Sequence, residues 1–517
     1  MSNLASFLVS AAKRHPAKAA MVFNDKATSY AELNGASNMV ANGLKAAGIQ
    51  PGDRVALTCP NLPYFPIIYY GILKAGAVVV PLNVLLKGRE IAYHLKDSGA
   101  KAYFCFQGTA ELPMADEGRK GFAETDTCQH FWVMTAAPGA PSPIEGAPTF
   151  DSLLAGQSPA LDFHQVAAGD TAVILYTSGT TGFPKGAELT HANLTMNAMA
   201  CNDLFQSQPD DIHLLALPLF HSFGQTTQMN ASIVGGLTFV LMARFDPQAA
   251  LEALEKQNIS VFAGVPTMYW AMLNVPEAET KFDLAKISKR LRLGVSGGSS
   301  MPLEVLKGFE KRFQITVLEG YGLSETSPVA SFNSLDRPVK PGSVGTPLRG
   351  VEIAVLNDQG QPQPVNEVGE VVIRGHNVTK GYINRPEQNA AAIKNGWFYT
   401  GDLGRLDEDG YLYIVDRLKD MIIRGGFNVY PREVEEVLMT HPAVSMAAVI
   451  GVPDDKLGEE VKAFVILKAG AEATDTEIVH WAKEQMASYK YPRQVEIRPT
   501  LPMNATGKIL KRELRDA

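Results

Sequence analysis

Cysteine is scarce and scattered. The 517 residues hold four, Cys59, Cys105, Cys128 and Cys201, with no CxxC pair and no Cys/His cluster at zinc spacing. That excludes a disulfide framework or a zinc module and suits a reducing compartment. Positive charge is not in excess either: 47 Lys and Arg stand against 54 Asp and Glu, a net charge of −7. No nucleic-acid partner is therefore expected. No run reaches the ~18 apolar residues that a membrane-spanning helix needs. The opening MSNLASFLVSAAKRHPAKAA lacks a basic leader, and Lys13 and Arg14 interrupt its apolar run. It reads as an amphipathic helix with Leu4, Phe7, Leu8 and Ala11 on one face, so the expected location is the cytoplasm.

What the chain does have is ordinary globular material, 46% hydrophobic and 20% charged, and a length of roughly three to four ~150-residue domains. Helical and strand patterns alternate over the first part. Ser29-x-x-Glu32 is a capping box for a helix closing near Gly48. A strand over 54–58, an apolar helix over 63–75, a β-branched run over 77–80, a helix over 90–97 and the strand AKAYFCF follow. Such alternation predicts parallel sheet covered by helices. A proline-punctuated loop (Pro138, Pro141, Pro143, Pro148) is expected to separate this α/β unit from a second, beginning at the strand TAVILYT and running to about Leu335. From Gly342 to Leu412, glycine- and proline-punctuated short strands predict an antiparallel β-subdomain. The last ~100 residues read as a small α+β domain, with a helix entered at Pro431 and another capped by Thr474-x-x-Glu477.

One segment carries chemistry by composition alone. Tyr176-Thr-Ser-Gly-Thr-Thr-Gly-Phe-Pro-Lys-Gly186 follows an apolar strand and packs three glycines, four Ser/Thr hydroxyls and Lys185 into eleven positions. Glycines let backbone N–H groups approach an anion, hydroxyls donate, and the lysine adds a point charge. The spacing is not that of the Walker loop. A phosphate loop and a plain Ser/Thr/Gly surface turn both remain open on composition.

This stretch resembles the signature loop of the adenylate-forming superfamily, which holds acyl-CoA synthetases, amino-acid adenylation domains and luciferases. Gly320-Tyr-Gly-Leu-Ser-Glu-Thr326 resembles that family's adenine and magnesium segment, and Tyr399-Thr-Gly-Asp402 its ribose segment. Asp416-Arg-Leu-Lys-Asp-Met-Ile422 and Gly425-Gly-Phe-Asn-Val-Tyr-Pro431 resemble its hinge and following loop, and Gly507-Lys508 its catalytic-lysine segment. The wording is most like fatty acyl-CoA ligases, with aryl-CoA ligases close behind.

The resemblance implies an α/β fold: a large N-terminal domain (1–417) of two α/β sheet layers plus a β-subdomain, then a mobile α+β lid (418–517). It implies that carboxylate and ATP give an acyl-adenylate and pyrophosphate, after which coenzyme A displaces AMP. Thr177, Ser178, Gly179, Thr180, Thr181, Gly182 and Lys185 would hold phosphates, Glu325 would bind Mg²⁺, and Ser324 would donate to the α-phosphate. Tyr321 would stack on adenine beside Gly297, Gly298 and Ser299, with Glu319, Gly320 and Gly322 in the same nucleotide segment. Asp402 and Arg417 would hold ribose, and Lys508 would bridge carboxylate and α-phosphate. Lys419 would be the hinge, Gly425, Gly426 and Phe427 would meet pantetheine, and His221 would orient the substrate carboxylate. Each has a structural alternative as a surface, turn or core residue.

The substrate reading rests on Ser222 to Ala243, which holds no Lys, Arg, Asp or Glu and suits an apolar tail, each buried methylene adding ~0.8 kcal/mol. Gly320 stands where malonate-type ligases carry an arginine, which disfavours a short dicarboxylate. A fatty acid is expected, with an aromatic acid, or transfer to a carrier protein, as the alternatives. The stretch from Lys483 to Arg515 carries eight basic residues against three Glu; it could attract coenzyme A phosphates or an anionic membrane surface, or simply be a solvated face. A homodimer is also left open.

Overall fold

The computed structural model describes residues 3–177 and 183–515. Four sheets organise the chain. A six-stranded sheet runs His130–Met134, Ala100–Phe106, Arg54–Thr58, Val78–Leu82, Thr171–Thr177, Lys185–Thr190. It is parallel except at its last strand. A nine-stranded sheet begins at Thr346–Pro347 and ends at Lys26–Ser29. Its parallel centre contains Thr316–Gly322, Leu293–Ser296, Val261–Gly264, Ile212–Leu215 and Thr238–Leu241.

The two α/β units are not divided along the chain as expected. The strand Thr171–Thr177 closes the first sheet, pairing Val173 with Val79, instead of opening the second. Conversely Ala19–Phe23 leaves the N-terminal unit and pairs in parallel with Thr238–Leu241. Pattern reports that a strand exists, whereas its partner is decided by long-range burial. A third sheet, Val351–Leu356 to Leu412–Arg417, is wholly antiparallel. The last sheet is built on the hairpin Val444–Asp454 and Gly458–Leu467, with Ile422–Arg424 and Gln494–Ile497 both pairing with Gly458–Leu467. Sheet membership thus changes between Arg417 and Ile422.

Local sequence explains the helices. The Ser29/Glu32 and Thr474/Glu477 capping boxes both form. In the first helix Leu8 and Ala11 are buried, as is Leu4 just before it. Helix Tyr64–Lys74 is apolar on nearly every side and packs on helix Tyr30–Ala46. The approach is so close that a Cβ on Gly71 would lie 2.5 Å from Val40 Cβ. Small size, not conformational freedom, is what this glycine provides.

That contact buries a charge. Lys74 has no exposed surface, and its ammonium donates to Asn34 Oδ1 (2.7 Å), Ser37 Oγ (2.7 Å) and Asn38 Oδ1 (2.8 Å). These partners are uncharged, so burial lowers its pKa from 10.5 to about 7. Above about pH 7 the unfolded chain therefore binds a proton that the folded chain does not, and stability rises with pH until the unfolded lysine also titrates. Denaturant unfolding at pH 7 and pH 9 should show wild type gaining up to roughly 2–3 kcal/mol over Lys74→Met across that interval. Equal pH slopes for the two proteins would contradict this.

Candidate active site

The glycine-rich segment is gripped at both ends. The apolar strand Thr171–Thr177 delivers Thr177, and the chain returns as Lys185–Thr190 with Thr177 paired to Lys185. Ser178, Gly179, Thr180, Thr181 and Gly182 lie outside the described residues. On the return side, Tyr93 donates its hydroxyl to the Pro184 carbonyl (2.7 Å) and stacks on Phe183 at 5.2 Å between centroids. Tyr176 donates to Asp97 (2.9 Å). The helix Gly88–Ser98 therefore anchors the loop's stem.

Glu325 faces this stem from the short helical turn Ser324–Thr326, just after strand Thr316–Gly322. Its carboxylate is buried and accepts from Tyr382 Oη (2.8 Å) and Thr177 Oγ1 (3.3 Å). Lys185 Nζ lies 5.3 Å from the centre of the Tyr382 ring. Tyr382 is absent from the sequence expectations. It arrives because Gly381 and Ile383 pair with Glu188 and Gly186, the Glu188 N–H donating to the Gly381 carbonyl (2.8 Å) and the Ile383 N–H to the Gly186 carbonyl (2.9 Å). Its only local signal is the Lys-Gly-Tyr run, and nothing in spacing ties that run to Glu325.

A second polar group joins Tyr321, Asp402 and Arg417. Asp402 and Arg417 are direct partners on adjacent strands. Asp402 accepts from Tyr321 Oη (2.6 Å) and lies 3.3 Å from Arg417 Nε, with Arg417 half exposed to the cleft. The glycines around Tyr321 are sterically required. A Cβ on Gly320 would lie 2.0 Å from the Phe332 ring, and one on Gly322 would lie 1.9 Å from the Pro328 carbonyl oxygen. Gly297 abuts Phe223, Gly298 adopts φ +82°, and Ser299 is half-buried beyond them. The Glu319 carboxylate turns away from this group: it accepts from the Met301 N–H (2.8 Å) inside the core, where burial raises its pKa to about 7.

Lys508 comes to the same cleft from the small domain. Asn504 Oδ1 accepts from the N–H groups of Thr506 (3.0 Å) and Lys508 (2.9 Å), and Asn504 N donates to the Lys508 carbonyl (2.9 Å). The loop is thus rigid through its own backbone. Burial first, and then the charge of Arg417, lower the Lys508 pKa to about 8, against the pull of Asp402 and Asp420. His221 is lowered to about 4 by desolvation and by the Lys508 ammonium. It is neutral at physiological pH, and because its Nδ1 accepts from the Phe223 N–H (3.2 Å), its Nε2 carries the proton. Lys508, His221, Asp402 and Arg417 therefore share one electrostatic environment. Lys419 sits in the turn between the sheets, where Leu418 N donates to the Gly401 carbonyl (3.0 Å). Gly425 and Gly426, both at positive φ, turn a hairpin whose exposed Phe427 stacks on Tyr489 at 4.8 Å, within the small domain.

The uncharged segment after His221 forms a π-helix, Phe223–Asn230, wholly buried yet rich in polar side chains. Tyr70 donates to Asn230 Oδ1 (2.8 Å), while the Thr226 and Thr227 hydroxyls lack partners among the described residues. The buried side chains of this helix are thus largely polar, not apolar. In the basic C-terminal stretch, Lys490, Arg498, Lys511 and Arg515 are each ion-paired, to Glu433, Glu496, Glu435 and Asp420. No helix among the described residues is long and apolar enough to cross a membrane.

A model described as "AMP-binding enzyme" matches residues 8–383, and one described as "AMP-binding enzyme C-terminal domain" matches 433–508. The chain belongs to the AMP-binding enzyme family. It is 36% identical to the long-chain-fatty-acid–CoA ligase of Bacillus subtilis, the match covering 99% of this chain and 94% of that one. It is 37% identical to a feruloyl-CoA synthase of an Amycolatopsis species, over 99% and 98% of the two chains. Among solved structures, ATP-bound MatB from Rhodopseudomonas palustris superposes with a TM-score of 0.90 at 32% identity, covering 100% of this chain and 98% of that one. The protein is thus an AMP-forming acyl-CoA synthetase of the adenylate-forming superfamily, using ATP and coenzyme A.

The Asp402 pairing gives a direct test of the nucleotide site. Asp402→Asn keeps the shape but removes the charge facing Tyr321 and Arg417. Charge-assisted hydrogen bonds contribute about 1.5–3 kcal/mol each, so calorimetric affinity for ATP should fall about 10–100-fold. Unchanged affinity would remove Asp402 from the site.

Proposed function

We propose that this synthetase activates a fatty acid, with an aromatic acid as the second reading. Lys508 carries the mechanism: its half-buried side chain brings an ammonium under the charges of Arg417 and Asp402. A carboxylate approaching an ATP phosphate meets like charge, so the site's work is neutralisation and in-line positioning, not nucleophilic attack by a side chain. Lys508 supplies positive charge between the incoming carboxylate and the α-phosphorus. Lys185 and the Thr177-to-Gly182 loop hold the outgoing pyrophosphate, with Ser324 on the α-phosphate. Asp402 and Arg417 fix the ribose, and Tyr321, with Gly297, Gly298 and Ser299, bounds the adenine. Neutral His221 donates Nε2–H to the carboxylate without bringing a competing charge.

Mg²⁺ fits Glu325. The carboxylate lies among oxygen donors, and among the described residues no group of three or more His, Cys, Asp or Glu forms a cage. An ion held there would be shared with phosphate oxygens, where it would offset their charge. Two partners must then reach one reaction centre in turn. We place the turning point at Lys419, between an N-terminal body (1–417) and a lid (418–517). Rotation there would withdraw Lys508 and bring Gly425, Gly426 and Phe427 to the pantetheine thiol.

The fatty-acid reading is supported by the B. subtilis relative and by Gly320, where Phe332 leaves no room for a cation to pair a second carboxylate. The aromatic reading is favoured by the feruloyl-CoA synthase relative and by the polar side chains of Phe223–Asn230. AMP release from ATP, with and without coenzyme A, across C4–C18 fatty acids, benzoate and coumarate decides between them. The expected result is coenzyme A-dependent turnover at least tenfold higher on one fatty-acid length than on either aryl acid. A maximum on coumarate would overturn the substrate assignment and leave the mechanism standing.

A further inference from the structure

Lys508 is held in the cleft by contacts made away from the reacting atoms. Helix Pro266–Leu273 belongs to the large domain and follows the strand Val261–Gly264. From its first turn, Thr267 donates its hydroxyl to the Gly507 carbonyl (2.7 Å), one residue before Lys508. Gly507 adopts φ +79°, and a Cβ there would lie 3.0 Å from both Thr267 Oγ1 and Val265 Cγ2. Only glycine combines that backbone conformation with that approach. One turn further, on the same helix face, Trp270 donates Nε1–H to Ser445 Oγ (2.8 Å). Its ring packs on an apolar cluster of the small domain formed by Met446, Ala448, Ile450, Phe464 and Leu501, which Ile509 also joins. The two side chains thus grip the small domain at the Lys508 loop and at its central hairpin.

We propose that Thr267 and Trp270 form a latch that holds the small domain in the orientation delivering Lys508, and so favours the adenylation half-reaction over thioester formation. The inference rests on the reading that Lys508 serves the first step and leaves for the second. Burying an ammonium beside Arg417 and Lys419 is unfavourable, so contacts elsewhere must hold the loop in place. The latch supplies them without touching nucleotide or acid, which makes both residues positioning residues. Any rotation of the small domain has to break both hydrogen bonds and strip the Trp270 ring from its cluster.

The test measures two half-reactions separately in the full-length protein: acid-dependent exchange of pyrophosphate into ATP, and coenzyme A-dependent thioester formation from supplied acyl-adenylate. Thr267→Val removes one hydrogen bond while keeping shape, and Trp270→Phe removes the other together with part of the ring's packing. Each should lower exchange about 3–10-fold and leave thioester formation unchanged or faster, with Thr267→Ser restoring exchange. Equal losses in both half-reactions, or no loss in either, would overturn the latch. A wild-type protein that catalyses neither half-reaction with any acid would overturn the ligase reading itself, a result distinct from a competent wild type with unresponsive variants.

Discussion

The half-buried lysine that the small domain lends to the large one, Lys508, is the constraint on which the candidate site depends. Desolvation lowers the Lys508 pKa to about 8, with Arg417 and Lys419 adding to that shift and Asp402 and Asp420 opposing it. It is still mostly charged near neutrality. A cation in that position is unfavourable until an anion arrives, and a reaction that joins a carboxylate to a phosphate brings two. Burial first, and then the Lys508 charge, keep His221 neutral. The Lys508 charge thereby adds to what burial already does to His221.

The rest of the structure serves to make that placement repeatable. Asp402 and Arg417 are fixed in register on adjacent strands, and Tyr321 ties the nucleotide segment to them through Asp402. Glu325 is oriented by Tyr382 and by Thr177 at the loop's stem. These groups come from separate sheets, which meet at the cleft. Rigid strand ends position such groups better than free loops. The small domain adds a single lysine, on a loop stiffened by Asn504.

Much of this was legible in the sequence, and the reason is local. Capping boxes at Ser29 and Thr474, glycines crowded by Phe332 and Pro328, and a hydroxyl-rich loop all leave their mark in consecutive residues. What was not legible is pairing across distance. The strand Ala19–Phe23 joins a sheet whose neighbouring strand lies some two hundred residues on, beginning at Thr238. Tyr382 reaches Glu325 only because its segment adds to the strand after the phosphate loop. The uncharged run after His221 looked apolar by its lack of charge, yet its buried side chains are largely polar. The Thr267 and Trp270 contacts carry no motif, since an ordinary helix acquires its role from the domain docked on it.

Lys508 is proposed to act in one half-reaction and not the other. Replacing it by alanine and following both half-reactions in the same preparation tests this most directly. Acid-dependent pyrophosphate exchange should fall by at least 100-fold, about 2.7 kcal/mol of lost transition-state stabilisation. Thioester formation from supplied acyl-adenylate should stay within a few-fold of wild type. Retained exchange, or an equal collapse of both activities, would contradict the account.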